Sequence, residues 1–98
     1  IVYIPLMEVT KMPALKTPVE PTYPEQAKRL EKEGTVILEV SISEGGKVLD
    51  LVVVQRAGFG FDEAAAVAVK RSHFEPAYVG DRPVAVIVLI PIRFRFKD

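Results

Sequence analysis

His73 is the only histidine in this chain of 98 residues. No serine, carboxylate or metal-ligand cluster surrounds it at a spacing that would assemble a nucleophile with its base or hold a cation. No enzyme is expected, and His73 reads as a partly exposed residue in the turn after a helix. Neither "EGGK" (44–47) nor "GFGF" (58–61) has a lysine and helix start in the arrangement of a phosphate-binding loop. Turn chemistry accounts for them. Arg93 and Arg95 alternate with Ile92, Phe94 and Phe96, as basic and aromatic residues do on nucleic-acid platforms. Strand alternation sends those phenylalanines inward and the arginines to water. Thirteen basic residues balance thirteen acidic ones, so the chain has no net basic field and nucleic acid is not an expected partner. The absence of cysteine excludes disulfides, thiolate metal sites and cysteine catalysis. No cofactor is expected.

What remains is backbone chemistry, in residues 84–96, "VAVIVLIPIRFRF". Val84, Val86, Val88, Ile90, Ile92, Phe94 and Phe96 share one face, which alternation assigns to the core. The opposite face carries Ala85, Ile87 and Leu89 before Pro91, Arg93 and Arg95. A strand apolar on both sides suits a central position, but Pro91 has no N–H to give a ladder and belongs on an edge. An exposed apolar edge pairs with something. A partner peptide added as a strand, the N-terminal segment of this chain and a second copy of it all fit the pattern.

The elements that position this edge follow from periodicity and turn residues. Residues 1–20 carry Pro5, Pro13 and Pro18, a spacing no ordinary helix tolerates. They read as an extended N-terminal segment, with 1–9 apolar enough to form a short strand or lie on the domain and 11–22 acting as a linker. The folded domain is expected over 21–98. A short helix starts at Pro24 and Glu25, buries Ala27 and Leu30, and is capped by Gly34. Residues 35–42 alternate, with Val36, Leu38, Val40 and Ile42 inward. "SEGGK" (43–47) turns the chain and 48–55 return as the second strand of a hairpin. For Val48, Leu51 and Val53 all to face inward the parity must shift, which predicts a bulge near Leu49 and Asp50. Asp62 caps a second helix over 62–72, whose alanines let it lie close to a sheet. Val67 falls opposite the face of Ala65 and Val69, so it is exposed or makes a further contact. Residues 73–83 read as a loop or short extended segment. The fold class is α+β: a small antiparallel sheet, made of the hairpin plus a C-terminal edge strand, with two helices packed on one face. No apolar run approaches the roughly 20 residues that cross a bilayer.

Five motifs in register, "YPEQA" (23–27), "GTVILEVSISEGGKV" (34–48), "FDEAAAVAV" (61–69), "FEPA" (74–77) and "RPVAV" (82–86) with "IPIRF" (90–94), resemble the TonB C-terminal domain family. The resemblance runs from about Pro21 to the end. It implies a TonB C-terminal-domain-like fold in a periplasmic energy transducer, anchored in the inner membrane by an N-terminal helix absent from this chain and followed by a proline-rich spacer. It implies ExbB and ExbD as partners of that N-terminal region. For the domain itself it implies binding of the TonB box of TonB-dependent outer-membrane transporters by strand addition, coupling the proton-motive force to uptake of nutrients such as iron–siderophore complexes. Carried onto this sequence, the accepting strand is Val84, Ala85, Val86, Ile87, Val88, Leu89 and Ile90, flanked by Tyr23, Pro24 and Gln26. Phe61 stands where the family usually has leucine, Ser72 where tryptophan is common and Arg56 where serine is frequent, which bears on subtype. Family members also form strand-exchanged homodimers, so the alternative is a cell-envelope scaffold or dimerisation module of the same fold.

Overall fold

The alternating residues after Gly34 form the spine of the molecule. The computed structural model describes residues 1–17 and 19–96; Pro18 of the N-terminal segment, and Lys97 and Asp98 of the expected domain, lie outside the described residues. In chain order the elements are a 3-10 turn (Leu6–Glu8), β1 (Ala14–Leu15), α1 (Glu25–Arg29), β2 (Gly34–Ile42), β3 (Val48–Gln55), α2 (Phe61–Lys70), β4 (Phe74–Glu75), β5 (Ala77–Val79), β6 (Arg82–Val84) and β7 (Val86–Phe94). β2 is the centre of an antiparallel sheet ordered β3-β2-β7. Its inward residues Val36, Leu38, Val40 and Ile42 are fully buried.

α2 covers that face. Phe61, Ala65 and Val69 recur at the spacing that keeps one helix face on the core, and all three are fully buried. α1 adds the buried Ala27. The α+β class with helices over a small antiparallel sheet is thus as expected. Val67 is on the outward side of α2 and 48% exposed. The bulge lies where parity demanded it: Ser41 pairs with Asp50 and Ile42 with Val48, leaving Leu49 unpaired. A second irregularity, not expected, skips Val54 between the pairs Leu38–Val53 and Ile37–Gln55.

Several local expectations are corrected. α1 ends at Arg29 because Glu31 takes a left-handed conformation, φ 52°, and the N–H of Lys32 closes onto the Ala27 carbonyl at 2.9 Å. Leu30 is therefore 53% exposed rather than inward. Gly34 caps nothing; it opens β2, where a Cβ would lie 2.9 Å from the Ala57 Cβ and 3.3 Å from the Phe61 ring. Asp62 does not cap α2. Gly60 holds that position, and the Asp62 carboxylate turns back to accept from the N–H groups of Ala57 and Gly58 at 2.8 and 3.2 Å. Residues 84–96 are not one strand: Val84 ends β6, Ala85 makes an isolated bridge, and β7 runs only to Phe94. Phe96, expected in the core, is 41% exposed because it lies past the last sheet pair.

The segment between α2 and β7 is more ordered than a loop. β5 and β6 form a hairpin across Gly80 and Asp81, and β4 pairs with β1. Gly46, at φ +84°, brings the β2–β3 turn so close to β4 that a Cβ there would sit 1.9 Å from the Phe74 carbonyl oxygen; the Phe74 N–H donates to the Gly46 carbonyl at 2.9 Å. Residues 11–16 lie along the domain, with the Lys16 N–H on the His73 carbonyl at 3.0 Å.

Candidate functional site

β7 is held against β2 by an unbroken register from Gly34–Phe94 to Ile42–Val86. Its even-numbered side chains Val86, Val88, Ile92 and Phe94 are buried and Ile90 is partly so, while Ile87, Leu89, Pro91 and Arg93 are exposed. In an antiparallel pair, residues alternate between exchanging both backbone bonds with their partner and directing both groups away from it. Pro91 stands across from Ile37 and has no N–H, which places it among the outward-directed residues. Two observations support this parity. The Ala85 carbonyl points away from the sheet and accepts from the Ile4 N–H at 2.9 Å. The Thr35 carbonyl, across from Arg93, faces the β3 side, where Gln55 Nε2 donates to it at 3.4 Å. The backbone N–H and C=O groups of Ile87, Leu89 and Arg93, with the Pro91 carbonyl, therefore line the free side of β7. Among the described residues no strand pairs with β7 on that side beyond Ala85.

The two edges of the sheet differ. β3 is interrupted at Leu49 and Val54, and bulges blunt an edge as a template for pairing. β7 has no such interruption. Leu89 is 63% exposed, and its neighbours across the outer face are Glu39 and then Val52. The surface offered is thus a backbone ladder beside the exposed apolar side chains of Ile87 and Leu89, with Ser41 and Glu39 next to them on β2.

The structure separates the residues that sequence reasoning grouped. Val86, Ile87, Val88, Leu89 and Ile90 lie together on the open strand. Val84 is buried and paired with Ala77 inside the β5–β6 hairpin. Ala85 is 2% exposed, with its carbonyl already bonded. Tyr23 is at the other end of β7. Its ring stacks on Phe96 with centroids 5.2 Å apart and meets Phe61 and Phe94 edge-on at 5.5 and 5.8 Å. Its hydroxyl donates to the Lys32 carbonyl, and burial, with a smaller contribution from the Glu33 carboxylate, pushes its phenol above the usual tyrosine range. Pro24 packs toward Gly60, and Gln26 is exposed on α1. The N-terminal segment, one of the occupants the sequence allowed for this edge, pairs with it only at Ala85, through Tyr3. Sequence reasoning missed a groove of about 570 Å³ between α2 and residues 17 and 19–24, in which Val67 lies. Among the described residues no group of acidic, histidine or cysteine side chains could hold a metal, and no polar side chain is buried. His73 is exposed and forms an isolated bridge with Lys47.

Comparison with known proteins agrees with the fold. Residues 19–96 match the family described as Gram-negative bacterial TonB protein C-terminal. The chain is 31% identical over 90 residues to a TonB protein of Vibrio cholerae, covering 91% of the chain and 37% of that relative. It is 40% identical over 78 residues to the protein tonB2 of Pseudomonas aeruginosa, covering 79% of the chain and 29% of the relative. It thus spans roughly a third of the length of these relatives. The fold is similar to that of the TonB C-terminal domain of Pseudomonas aeruginosa solved by solution NMR, with a TM-score of 0.71 at 24% identity and 88% of each chain covered.

Proposed function

This chain belongs to the family of Gram-negative bacterial TonB protein C-terminal domains, and from that premise we propose that it is the partner-binding domain of a TonB-type energy transducer. It is not an enzyme. It takes up an extended segment of an outer-membrane transporter, the TonB box, as an added strand on β7, and so transmits force derived from the proton-motive force to nutrient uptake such as that of iron–siderophore complexes. It works in the periplasm, tethered to the inner membrane through chain N-terminal to it, the region that ExbB and ExbD engage. The observation that carries this reading is the regular, open edge of β7, with the outward backbone groups of Ile87 and Leu89, beside a β3 edge broken at Leu49 and Val54. Strand addition draws its affinity from those main-chain bonds and its selectivity from neighbouring side chains, here Ile87 and Leu89.

The test is an amide-shift titration of the labelled chain with synthetic peptides carrying TonB-box segments. Shifts centred on Ile87 and Leu89, saturable and weakened in Leu89→Pro, support the transducer. A chain that ignores every peptide and dimerises through β7 would instead be a scaffold or dimerisation module of the cell envelope.

A further inference from the structure

The N-terminal segment grips both edges of the β5–β6 hairpin. On one side the Ile4 N–H donates to the Ala85 carbonyl at 2.9 Å, within a parallel bridge between Tyr3 and Ala85. On the other, the N–H groups of Thr10 and Lys11 donate to the Tyr78 carbonyl at 2.8 and 3.2 Å, and the Tyr78 N–H donates to the Lys11 carbonyl at 3.0 Å. Pro83 stands across from Tyr78 and has no N–H, so these two residues direct their backbone groups away from each other. Tyr78 and Ala85 accordingly sit on opposite edges, and the chain between Ile4 and Lys11 passes around the hairpin, with Ile4 and Val9 packed against the core. The chain leaves the edge after Ile4, where Pro5 begins the 3-10 turn.

We propose that this wrap is a register stop on the strand-accepting edge. Ile4 occupies Ala85 at one end and Pro91 lacks a donor at the other, so an incoming extended peptide finds complete pairs of outward groups between them only at Ile87 and Leu89. A peptide that reaches Ala85 must first displace Tyr3 and Ile4. This inference rests on reading β7 as the accepting edge. Its consequence is selection by register and length: the segment accepted has a short free backbone run, and side chains that lie on the outer face beside Ile87 and Leu89.

The test compares two TonB-box peptides, one long enough to overlie Ala85 and one shortened by two residues at that end, on the wild-type chain and on Ile4→Pro. In the free wild-type chain the Ile4 amide exchanges slowly and the Ile87 and Leu89 amides exchange fast. The short peptide leaves Ile4 protected; the long one speeds its exchange. Ile4→Pro binds the long peptide roughly 2- to 10-fold tighter, the range set by one backbone bond, with Ala85 joining the residues that shift, and binds the short one unchanged. Fast exchange of Ile4 in the free wild-type chain overturns the stop without any variant. Equal affinities of both proteins for the long peptide, with Ile87 and Leu89 shifting, also overturn it and leave strand addition standing. If neither peptide shifts any residue of β7, strand addition itself fails and the stop with it.

Discussion

Pro91 stands directly across from Ile37 in the pairing of β7 with β2, at a position whose backbone groups point away from β2. The parity this sets makes two neighbouring substitutions opposite in effect. Leu89→Pro removes an outward N–H and is expected to keep stability within about 1 kcal/mol of wild type. Val88→Pro removes an inward N–H, leaves the Val40 carbonyl without its ladder partner, and is expected to cost at least about 2 kcal/mol. Urea unfolding of the two variants measures the difference; equal losses would show that the parity is wrong.

Gly34 is held by close approach rather than by its conformation. A methyl group there meets the Ala57 Cβ at 2.9 Å and the Phe61 ring at 3.3 Å, and Phe61 is fully buried. Gly34→Ala is expected to destabilise by about 1–3 kcal/mol, the usual cost of overpacking. Ala57→Gly in the same chain recovers part of the loss, a coupling that a double-mutant cycle in urea reads directly.

Tyr23 makes stability depend on pH at the alkaline end. Burial first, and then the Glu33 carboxylate, raise its phenol in the folded state. Below the unfolded value of about 10 both states keep the proton and the contribution is complete. As pH rises through the folded value, the unfolded chain has already released its proton and stability falls. Tyr23→Phe is expected to be less stable at pH 7, having lost the bond to the Lys32 carbonyl, but to lose less between pH 9 and pH 11. Denaturation midpoints of both proteins over that range give the comparison.

Asp62 organises the turn before α2. Its two carboxylate oxygens accept from the Ala57 and Gly58 N–H groups, so Asp62→Ala is expected to cost about 1–2 kcal/mol. Amide exchange should quicken at Ala57 and Gly58 first, while the α2 amides near Val69 change little. Uniform quickening throughout α2 would mean that Asp62 serves the helix itself.

Much of the site was legible because strand parity is local. Pro91 inside an apolar alternation required an edge, and the misphased valines after the "EGG" turn required a bulge beside Leu49. Val67 announced its exposure by falling out of helical phase. Other features left no local mark. Nothing near Val54 distinguishes its bulge from continuous strand. Gly34 looks like a helix terminator because it follows a helix, yet its constraint comes from Ala57 and Phe61. Asp62 has the residue type of a cap, and only the turn before α2 gives its carboxylate a different use.

The order of elements, the inward face of β2 and β7, and the edge position of β7 were determined by the sequence alone, because side-chain alternation and the missing proline N–H act over a few neighbouring residues. Which part of that edge is open was decided by tertiary structure. Ala85 carries no sign that residue 4 will occupy its carbonyl, and Val84 none that it will pair with Ala77 rather than continue the strand. Those bonds join segments brought together only when the chain closes around its core, so their partners are set by the path of the whole fold.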